Sequence, residues 1–430
     1  MLRRVFEDGA WADRALHGEA RRLDLDARER ALATRLAYGA VQRRATLDHV
    51  IETLARRPAE RLEPLVLAAL RLGVYQLAYA DRVPAHAAVG ESVELVKRES
   101  PGGAKLVNAV LRRAAREAPA LIAALPDATP AQAAIAHSYP EWVAELWWDA
   151  LGADEARALM AAGNEPAEAA LRVNTLRADP AGLAARLPVV TRPAPDLPEG
   201  LLLDGPFDAF AAPEWERGEF MPQSRAAMAV ARLLAPRPGE RVLDLCAAPG
   251  AKTTHLAALM GNEGELVAVE RHPGRADALR RTCARMGARV DVRTGDAGAP
   301  HEEERYDRVL VDPPCSDLGT LASRPDARWR KPPGLPERLA REQATILRAG
   351  AAALRPGGTL VYSTCTISPA ENEDLVLAFV AERTDFRPHD LRADVPLWDH
   401  ARVAGFAQTL PHRDGTEGFF IARLRREGGR

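Results

Sequence analysis

From about residue 221 onward the chain alternates short apolar runs with helix-patterned stretches, and this rhythm restricts the fold more than any other feature. Arg241-Val242-Leu243-Asp244-Leu245 reads as a buried strand, 252–260 as a helix, Leu266-Val267-Ala268-Val269-Glu270 as the next strand, 274–286 as a helix and Val290-Asp291-Val292-Arg293 as a third strand. A strand over 308–311 follows. A long helix over 336–354 is then stopped by Arg355-Pro356-Gly357-Gly358. A strand over 359–363, a helix over 372–382 and a last strand at Gly418-Phe419-Phe420-Ile421-Ala422 complete the series. Such alternation implies a parallel sheet with helices on both faces. Ligands of such sheets sit at the carboxyl ends of the strands, so the residues that follow each strand are the candidate site.

The front of the chain has a different pattern. Residues 1 to about 125 read as all helical. Asp26-Ala27-Arg28-Glu29-Arg30 opens one amphipathic stretch and Pro64-Leu65-Val66 another, and 87–97 and 105–116 supply two more. Arg57-Pro58, Arg82-Val83-Pro84 and Pro101-Gly102-Gly103 mark the breaks, and the segment 118–131 reads as a linker. Between about 137 and 220 a helix carrying Trp147 and Trp148, a strand candidate at 171–175 and recurrent prolines predict a small α+β module. The expected division is a helical bundle over 1–125, an α+β module over 137–220 and a Rossmann-like α/β domain over 221–430, in keeping with a length of 430 residues.

Charge and cysteine content narrow the setting. A net charge of -2 announces no global basic field, although the first 120 residues carry 21 Lys+Arg against 16 Asp+Glu, a balance compatible with phosphate contacts. Four cysteines, none spaced as Cys-x-x-Cys, form no disulfide framework. With neither an apolar leader nor a membrane-length run, the chain is expected to be cytoplasmic, with free thiols.

The strand ends carry the chemistry. The first strand runs into Cys246-Ala247-Ala248-Pro249-Gly250-Ala251-Lys252, a tight turn of small residues that ends at a helix N-terminus. It is neither Gly-x-Gly-x-x-Gly nor a phosphate-binding P-loop. Glu270 ends the second strand, where an acid suits a grip on ribose hydroxyls. Asp296 ends the third and is placed to accept from an adenine amine. The three together describe an adenosine pocket; any one alone is equally a generic turn or a solvated acid.

Asp312-Pro313-Pro314-Cys315-Ser316 follows the fourth strand and Ser363-Thr364-Cys365-Thr366 the fifth. Asp312 is placed to meet a polar ring edge. Methyltransferases acting on exocyclic amines commonly carry an aromatic residue after such a Pro-Pro pair. A cysteine there shifts the target to a ring carbon: a thiolate adding at C6 of a pyrimidine makes C5 enamine-like and able to attack a sulfonium methyl group. Neighbouring strands about 4.8 Å apart would put Cys315 and Cys365 in one cleft. The plainer readings are a small buried hydrophobe for Cys365, or a zinc pair that lacks further ligands. Cys246 reads as packing beneath the turn and Cys283 as a helix residue. Arg324, Arg328, Trp329, Arg330 and Lys331 form a basic stretch with an aromatic residue, suited to phosphate contact and stacking on an unpaired base, or simply a solvated loop with one anchoring Trp.

Asp244-Leu245-Cys246-Ala247-Ala248-Pro249-Gly250-Ala251-Lys252-Thr253, together with the Pro-Pro-Cys and Thr-Cys segments and the tail Leu410-Pro411-His412-Arg413-Asp414-Gly415-Thr416-Glu417-Gly418-Phe419-Phe420, resembles the Sun/NOL/NOP family of S-adenosylmethionine-dependent RNA cytosine-C5 methyltransferases. The front half resembles the NusB antitermination-type RNA-binding domain, through Leu70-Arg71-Leu72-Gly73-Val74-Tyr75-Gln76-Leu77, Asp81-Arg82-Val83-Pro84-Ala85-His86 and Val107-Asn108-Ala109-Val110-Leu111-Arg112. The pairing resembles the bacterial members that act on 16S ribosomal RNA.

This resemblance implies a class I methyltransferase domain. Cys246, Ala247, Ala248, Pro249, Gly250, Ala251 and Lys252 would wrap the methionine part of S-adenosylmethionine, Glu270 would hold its ribose, Asp296 its adenine side, and Asp312 would lie where cofactor and cytosine meet. It makes Cys365 the nucleophile and Cys315 the residue that helps release product from an unstacked base. It also implies a monomer that takes 16S ribosomal RNA free or in an early small-subunit assembly state, and no metal, membrane or DNA. Two departures stand out: Ala251 replaces the second Gly of the family turn, and Gln223-Ser224-Arg225 lacks the family's acid. Alternatives are the same chemistry on transfer RNA or another ribosomal site, exchanged cysteine roles, and a non-catalytic RNA-binding factor.

Overall fold

Asp26 and Glu29 cap the start of the helix Ala27–Gln42 reciprocally: the Glu29 amide donates to the Asp26 carboxylate at 2.8 Å and the Asp26 amide to Glu29 at 3.0 Å. The computed structural model describes residues 1–80, 83–302 and 304–428, so the Asp81-Arg82 part of the expected break and of the NusB-like match lies outside the described residues. The chain forms two compact units, Met1–Glu165 with Leu321–Pro333, and Pro166–Thr320 with Gly334–Arg430.

The first unit is helical. Its central helix, Pro64–Tyr79, starts with proline at its first turn and buries Val66, Leu70 and Val74 against Leu47, Val50 and Ile51 of Arg44–Ala55 and Val107 and Leu111 of Pro101–Ala123. Pro101-Gly102-Gly103 is the first turn of that last helix, not the expected break. Ser100 caps it by accepting from the Gly103 amide at 3.2 Å, and a Cβ on Gly103 would lie 2.5 Å from Val66 Cγ2. The helix runs on through Pro119 to Ala123, so the linker shrinks to 124–129. Pro130–His137, Glu141–Leu151 and Ala153–Ala162 also pack in this unit rather than with the strands that follow.

The segment 321–333, although it comes from the middle of the α/β sequence, also belongs to this helical unit. Arg328 is fully buried there. It donates to Ser138 O (2.9 Å), Asn164 Oδ1 (3.0 Å) and Gly163 O (3.0 Å), and its guanidinium lies 4.0 Å from the Tyr139 ring centre.

The second unit begins with four antiparallel strands, β1 (Ala170–Val173), β2 (Thr191–Ala194), β3 (Leu197–Leu203) and β4 (Phe220–Pro222), in the order β2-β3-β1-β4. The alternation read from the sequence follows as β5 (Arg241–Leu245), β6 (Glu265–Glu270), β7 (Asp291–Thr294), β8 (Tyr306–Val311) and β9 (Leu354–Thr364), all parallel to one another. β10 (Phe386–Pro388), β11 (Ala407–Thr409) and β12 (Phe419–Arg426) complete a sheet ordered β10-β12-β9-β8-β5-β6-β7, with β11 also on β12 and β12 antiparallel to β9. β9 starts at Leu354, five residues before the expected strand. Leu354 pairs with Tyr306, the register then jumps, and Thr359 pairs with Arg308. Pro356 offers no amide and Gly357 has a φ of 75°, so this stretch bulges instead of ending the element. Chain order reverses between β5 and β8, which places the ligand crevice at their carboxyl ends.

The small sheet braces the helix Ala251–Leu259 that leaves this crevice. Arg172 of β1, buried and pushed down to about 9 by that burial, donates to Thr254 Oγ1 at 2.8 Å and Gln223 Oε1 at 2.8 Å. Glu199 of β3 pairs with Arg232, and the His255 Nε2 atom lies 2.7 Å from Glu199.

Two outcomes follow. Arg328→Ala orphans three buried acceptors and lowers the stability of the helical unit by roughly 3 kcal/mol, measured as a shift of its denaturant midpoint. Burial, then the charge of Arg172, push the His255 imidazole from 6.5 down to about 4. Across that window the unfolded chain takes up a proton that the folded chain refuses, so stability is full above pH 6.5 and falls as pH drops towards 4. The loss is on the order of 3 kcal/mol, and thermal melts across this range should show it for the wild type and not for His255→Gln.

Candidate functional site

β5 ends at Asp244-Leu245, and the turn that follows is built for close approach to its backbone. Cys246 has a φ of 65° and Gly250 one of 104°, and a Cβ on Gly250 would meet Leu279 Cδ1 at 2.7 Å. Asp244 is buried and accepts from Thr253 Oγ1 at 2.6 Å through one oxygen; its Oδ1 has no hydrogen-bond partner among the described residues. Burial pushes its carboxyl up to about 7. Burial, then the charge of Asp312, also pushes the Cys246 thiol far up, so it is inert packing beneath the turn. Glu270 is buried at the end of β6, where it accepts from the His272 amide at 2.9 Å. Asp296 is exposed just beyond β7, with one oxygen accepting from the Gly298 amide at 3.0 Å. An unpaired acid oxygen, a turn of small residues and a buried acid on the next strand suit a cationic amino acid joined to a ribose, and the residues therefore fit S-adenosylmethionine.

Asp312, directly after β8, closes this pocket on its other side. One of its oxygens accepts from Lys252 Nζ at 2.8 Å and the other from Ser363 Oγ at 2.8 Å. The carboxylate thus ties the cofactor turn to β9. Lys252 also lies 5.1 Å from the centre of the Phe419 ring.

Cys315 and Cys365 share one cleft, with their sulfurs 3.4 Å apart. The loops that carry them are stapled by buried polar groups. Glu371 accepts from the Ser316 amide at 2.8 Å, from Ser316 Oγ and from Gln343 Nε2 at 2.9 Å. Ser316 Oγ and Thr366 Oγ1 are 2.6 Å apart, Gln343 also donates to Pro314 O at 2.9 Å, and Tyr362 OH donates to Glu371 O at 2.7 Å. Asp317 joins the pair: its Oδ1 accepts from Cys365 Sγ at 3.2 Å and from Cys315 Sγ at 3.5 Å.

Both thiols are held in the protonated form. The hydrogen bond with Cys315, then burial and the charges of Cys315 and Asp317, raise the Cys365 thiol well above its ordinary value, against the pull of Lys252. At Cys315 the bond to Cys365 pulls the thiol down, but burial and the charge of Asp317 outweigh it. Burial likewise raises the Glu371 carboxyl, opposed by its bonds from Ser316 and Gln343.

The structure thus brings together the turn Cys246–Lys252, Asp312, Cys315 and Cys365, with Glu270 and Asp296 at the ends of the flanking strands. It does not present the basic stretch as one nucleic-acid face. Arg328 is buried under backbone carbonyls, Trp329 Nε1 donates to Val41 O at 2.7 Å beneath Arg44, and Arg330 donates to Gly9 O at 2.7 Å and lies over the Trp11 ring. These three anchor 321–333 within the helical unit, Lys331 is half-buried, and Arg324 is exposed. Sequence reading missed Asp317, Glu371 and Gln343. Asp317 lies only two residues beyond Cys315, a signal that was available. Gln343 sits mid-helix, where nothing local marks it. The departing segment Gln223-Ser224-Arg225 has its own partners: Ser224 Oγ donates to Glu417 at 2.8 Å and Arg225 to Asp414 O at 2.7 Å, holding the tail loop.

Comparison with known proteins agrees with this geometry. Residues 231–425 match the family model described as 16S rRNA methyltransferase RsmB/F, residues 1–116 match the NusB family, and residues 139–209 match the ferredoxin-like domain of RsmF/B-like methyltransferases. The ribosomal RNA small subunit methyltransferase B of Thermus thermophilus is 39% identical over 96% of this chain and 92% of its own length. A probable ribosomal RNA small subunit methyltransferase B of Synechocystis is 37% identical over 99% and 98%. The crystal structure of PH0851 superposes with a TM-score of 0.81 at 28% identity, covering 95% of this chain and 93% of that one. A methyltransferase homologue from Pyrococcus horikoshii gives a TM-score of 0.60 at 26% identity over 70% of this chain and all of that one. With full-length relatives more than a third identical, and an adenosine-type pocket beside two paired cysteines, the chain belongs to the RsmB/F family of S-adenosylmethionine-dependent ribosomal RNA methyltransferases.

Proposed function

We propose that this protein methylates C5 of a cytosine in 16S ribosomal RNA through a covalent bond from Cys365 to C6. The observation that carries this reading is the approach of Cys315 and Cys365 to 3.4 Å at the ends of adjacent strands, beside Asp312. A ring carbon of a pyrimidine becomes nucleophilic only after a thiol adds to it, and release then needs a second group. S-adenosylmethionine, when bound, supplies an electrophilic methyl group. Cys246–Lys252 and Glu270 would hold it, with Asp296 on the adenine side, and Asp312 would orient the base. Lys252 opposes the rise of the Cys365 thiol without overcoming it, and it is the resemblance of the Thr364-Cys365 segment to the family that assigns Cys365 the attack. Cys315, with its sulfur alongside, would serve in the elimination that frees the methylated base. The cytosine would have to be unstacked to reach the cleft.

The names of the relatives favour 16S ribosomal RNA over transfer RNA, and the NusB-type front domain supports RNA as the partner. Among the described residues, no helix is long and apolar enough to cross a membrane. A cytoplasmic monomer acting on free or early-assembling small-subunit RNA is the setting that accords with this reading. Arg324 remains the exposed candidate for RNA contact among the basic residues after the Pro-Pro-Cys loop.

Purified protein incubated with unmodified 16S RNA and labelled S-adenosylmethionine should place label on cytosine C5. Cys365→Ala should lose activity by on the order of 10³-fold or more and form no adduct. Cys315→Ala should accumulate a protein–RNA adduct stable to denaturing electrophoresis. The opposite pattern exchanges the cysteine roles, and no label on any cytosine sinks the reading.

A further inference from the structure

We infer that Asp317 is a catalytic residue of this protein, the group that takes the thiol proton of Cys365 as its sulfur attacks the base. The inference rests on the cytosine reading above and adds to it the proton acceptor that reading leaves unnamed. Asp317 Oδ1 lies 3.2 Å from Cys365 Sγ and 3.5 Å from Cys315 Sγ, so one oxygen receives both thiols. A general base must stand within hydrogen-bond reach of the proton it removes, and Asp317 does so in the protein alone. Among the described residues, Asp317 is the carboxylate whose oxygen hydrogen-bonds both sulfurs, and Lys252 is a cation without a lone pair to offer.

The backbone points the same way. Asp317 has a φ of 51°, in the left-handed region that glycine adopts more readily than any side-chain-bearing residue. A glycine would meet the needs of this turn at lower conformational cost. The carboxylate is therefore not required by the turn itself, while its oxygen lies against both sulfurs.

The step balances as follows. The Cys365 S–H bond breaks, its proton passes to the Asp317 carboxylate, and the sulfur electron pair forms the bond to C6. The pair displaced from the C5–C6 double bond moves to C5, where it would take the methyl group that bound S-adenosylmethionine supplies. On elimination the C5–H bond breaks, its proton leaving to water by way of Cys315, and its pair re-forms the C5–C6 double bond. The S–C6 bond breaks, its pair returns to sulfur, and Asp317 returns the proton to Cys365.

RNA carrying 5-azacytosine tests this step without methyl transfer, because its C6 accepts a thiol directly. Asp317→Asn keeps an oxygen acceptor and removes the base, and Asp317→Gly also relaxes the turn. At neutral pH both variants should form adduct about 100-fold more slowly than wild type. The gap should close by roughly tenfold per pH unit as water takes over the deprotonation, a dependence that a merely structural role does not produce. A ratio constant with pH, or variants as fast as wild type, overturns the inference.

A second arm needs neither RNA nor cofactor: alkylation of Cys365 by iodoacetamide, located by peptide mass. The pH midpoint of alkylation should fall in Asp317→Asn, and an unchanged midpoint overturns the inference independently of any substrate. An adduct found on Cys315 that still slows in Asp317→Asn overturns the Cys365 assignment and keeps Asp317 as the base, since its oxygen reaches both sulfurs. Wild type forming no adduct at all overturns both the covalent reading and the base.

Discussion

The buried carboxylate of Glu371 is the constraint on which the cleft depends. Two loops leave the ends of β8 and β9, and nothing in a parallel ladder fixes what lies beyond the last paired residues. Glu371 takes three donors from the first loop and from the long helix above it, and its backbone carbonyl takes the Tyr362 hydroxyl from β9. Ser316 and Thr366 then meet directly. Removing such an acceptor would leave buried donors unsatisfied, at about 1–3 kcal/mol each, so the network has one arrangement and the loops inherit it. The 3.4 Å approach of Cys315 and Cys365 is the consequence. The shared contact of both sulfurs with Asp317 Oδ1 then completes the arrangement.

Charge in the cleft is ordered so that the sulfurs rest as thiols. Two thiolates 3.4 Å apart would repel strongly in a site with little water, and Asp317 adds a further acceptor beside them. Lys252 opposes this at Cys365, and its own charge is already balanced by Asp312. A resting thiol is protected from oxidation and alkylation, which follow thiolate character. The cost is that attack must be coupled to loss of a proton, and this coupling is why the geometry of Asp317 bears on function. Cys246 shows the alternative: burial, then the charge of Asp312, raises its thiol, and it packs beneath the turn.

Much of this was legible in the sequence because each feature was local. The strand at Arg241–Leu245 was located by a short apolar run, and the helix starts at Pro64 and after Asp26 by capping chemistry. The site residues announced themselves by standing just after strands in an alternating α/β pattern. What was not legible depended on partners far away in the chain. The basic stretch Arg328-Trp329-Arg330 looked like a nucleic-acid face because its charge is visible and its acceptors are not: Ser138 O, Gly163 O, Val41 O and Gly9 O are backbone carbonyls that any residue could supply. Pro101-Gly102-Gly103 looked like a break because its punctuation is also that of a helix start. The same residues carry either meaning until Val66 is seen packed against the place of a missing Cβ.

The tail segment that helped mark the family in the sequence has a mechanical role in the structure. Gly319, just beyond Asp317, donates its amide to Cys365 O at 3.0 Å and accepts from the Gly418 amide at 2.9 Å. A Cβ on Gly319 would lie 1.9 Å from Gly418 O, and one on Gly418 would lie 2.9 Å from Gly319 Cα, so the two backbones approach as only glycines allow. Cys365, Gly319 and Gly418 therefore form a three-chain ladder outside the main sheet. The Thr409 hydroxyl, donating to Glu417 O at 2.6 Å, and the bond from Ser224 to Glu417 fix the outer rail. Glu371 holds the cysteine loops from within, and the Gly319–Gly418 contact backs them from the side of β12. With both in place, the Cys365 backbone is restrained on either side of its side chain, and motion is left to the sulfur and the proton it carries.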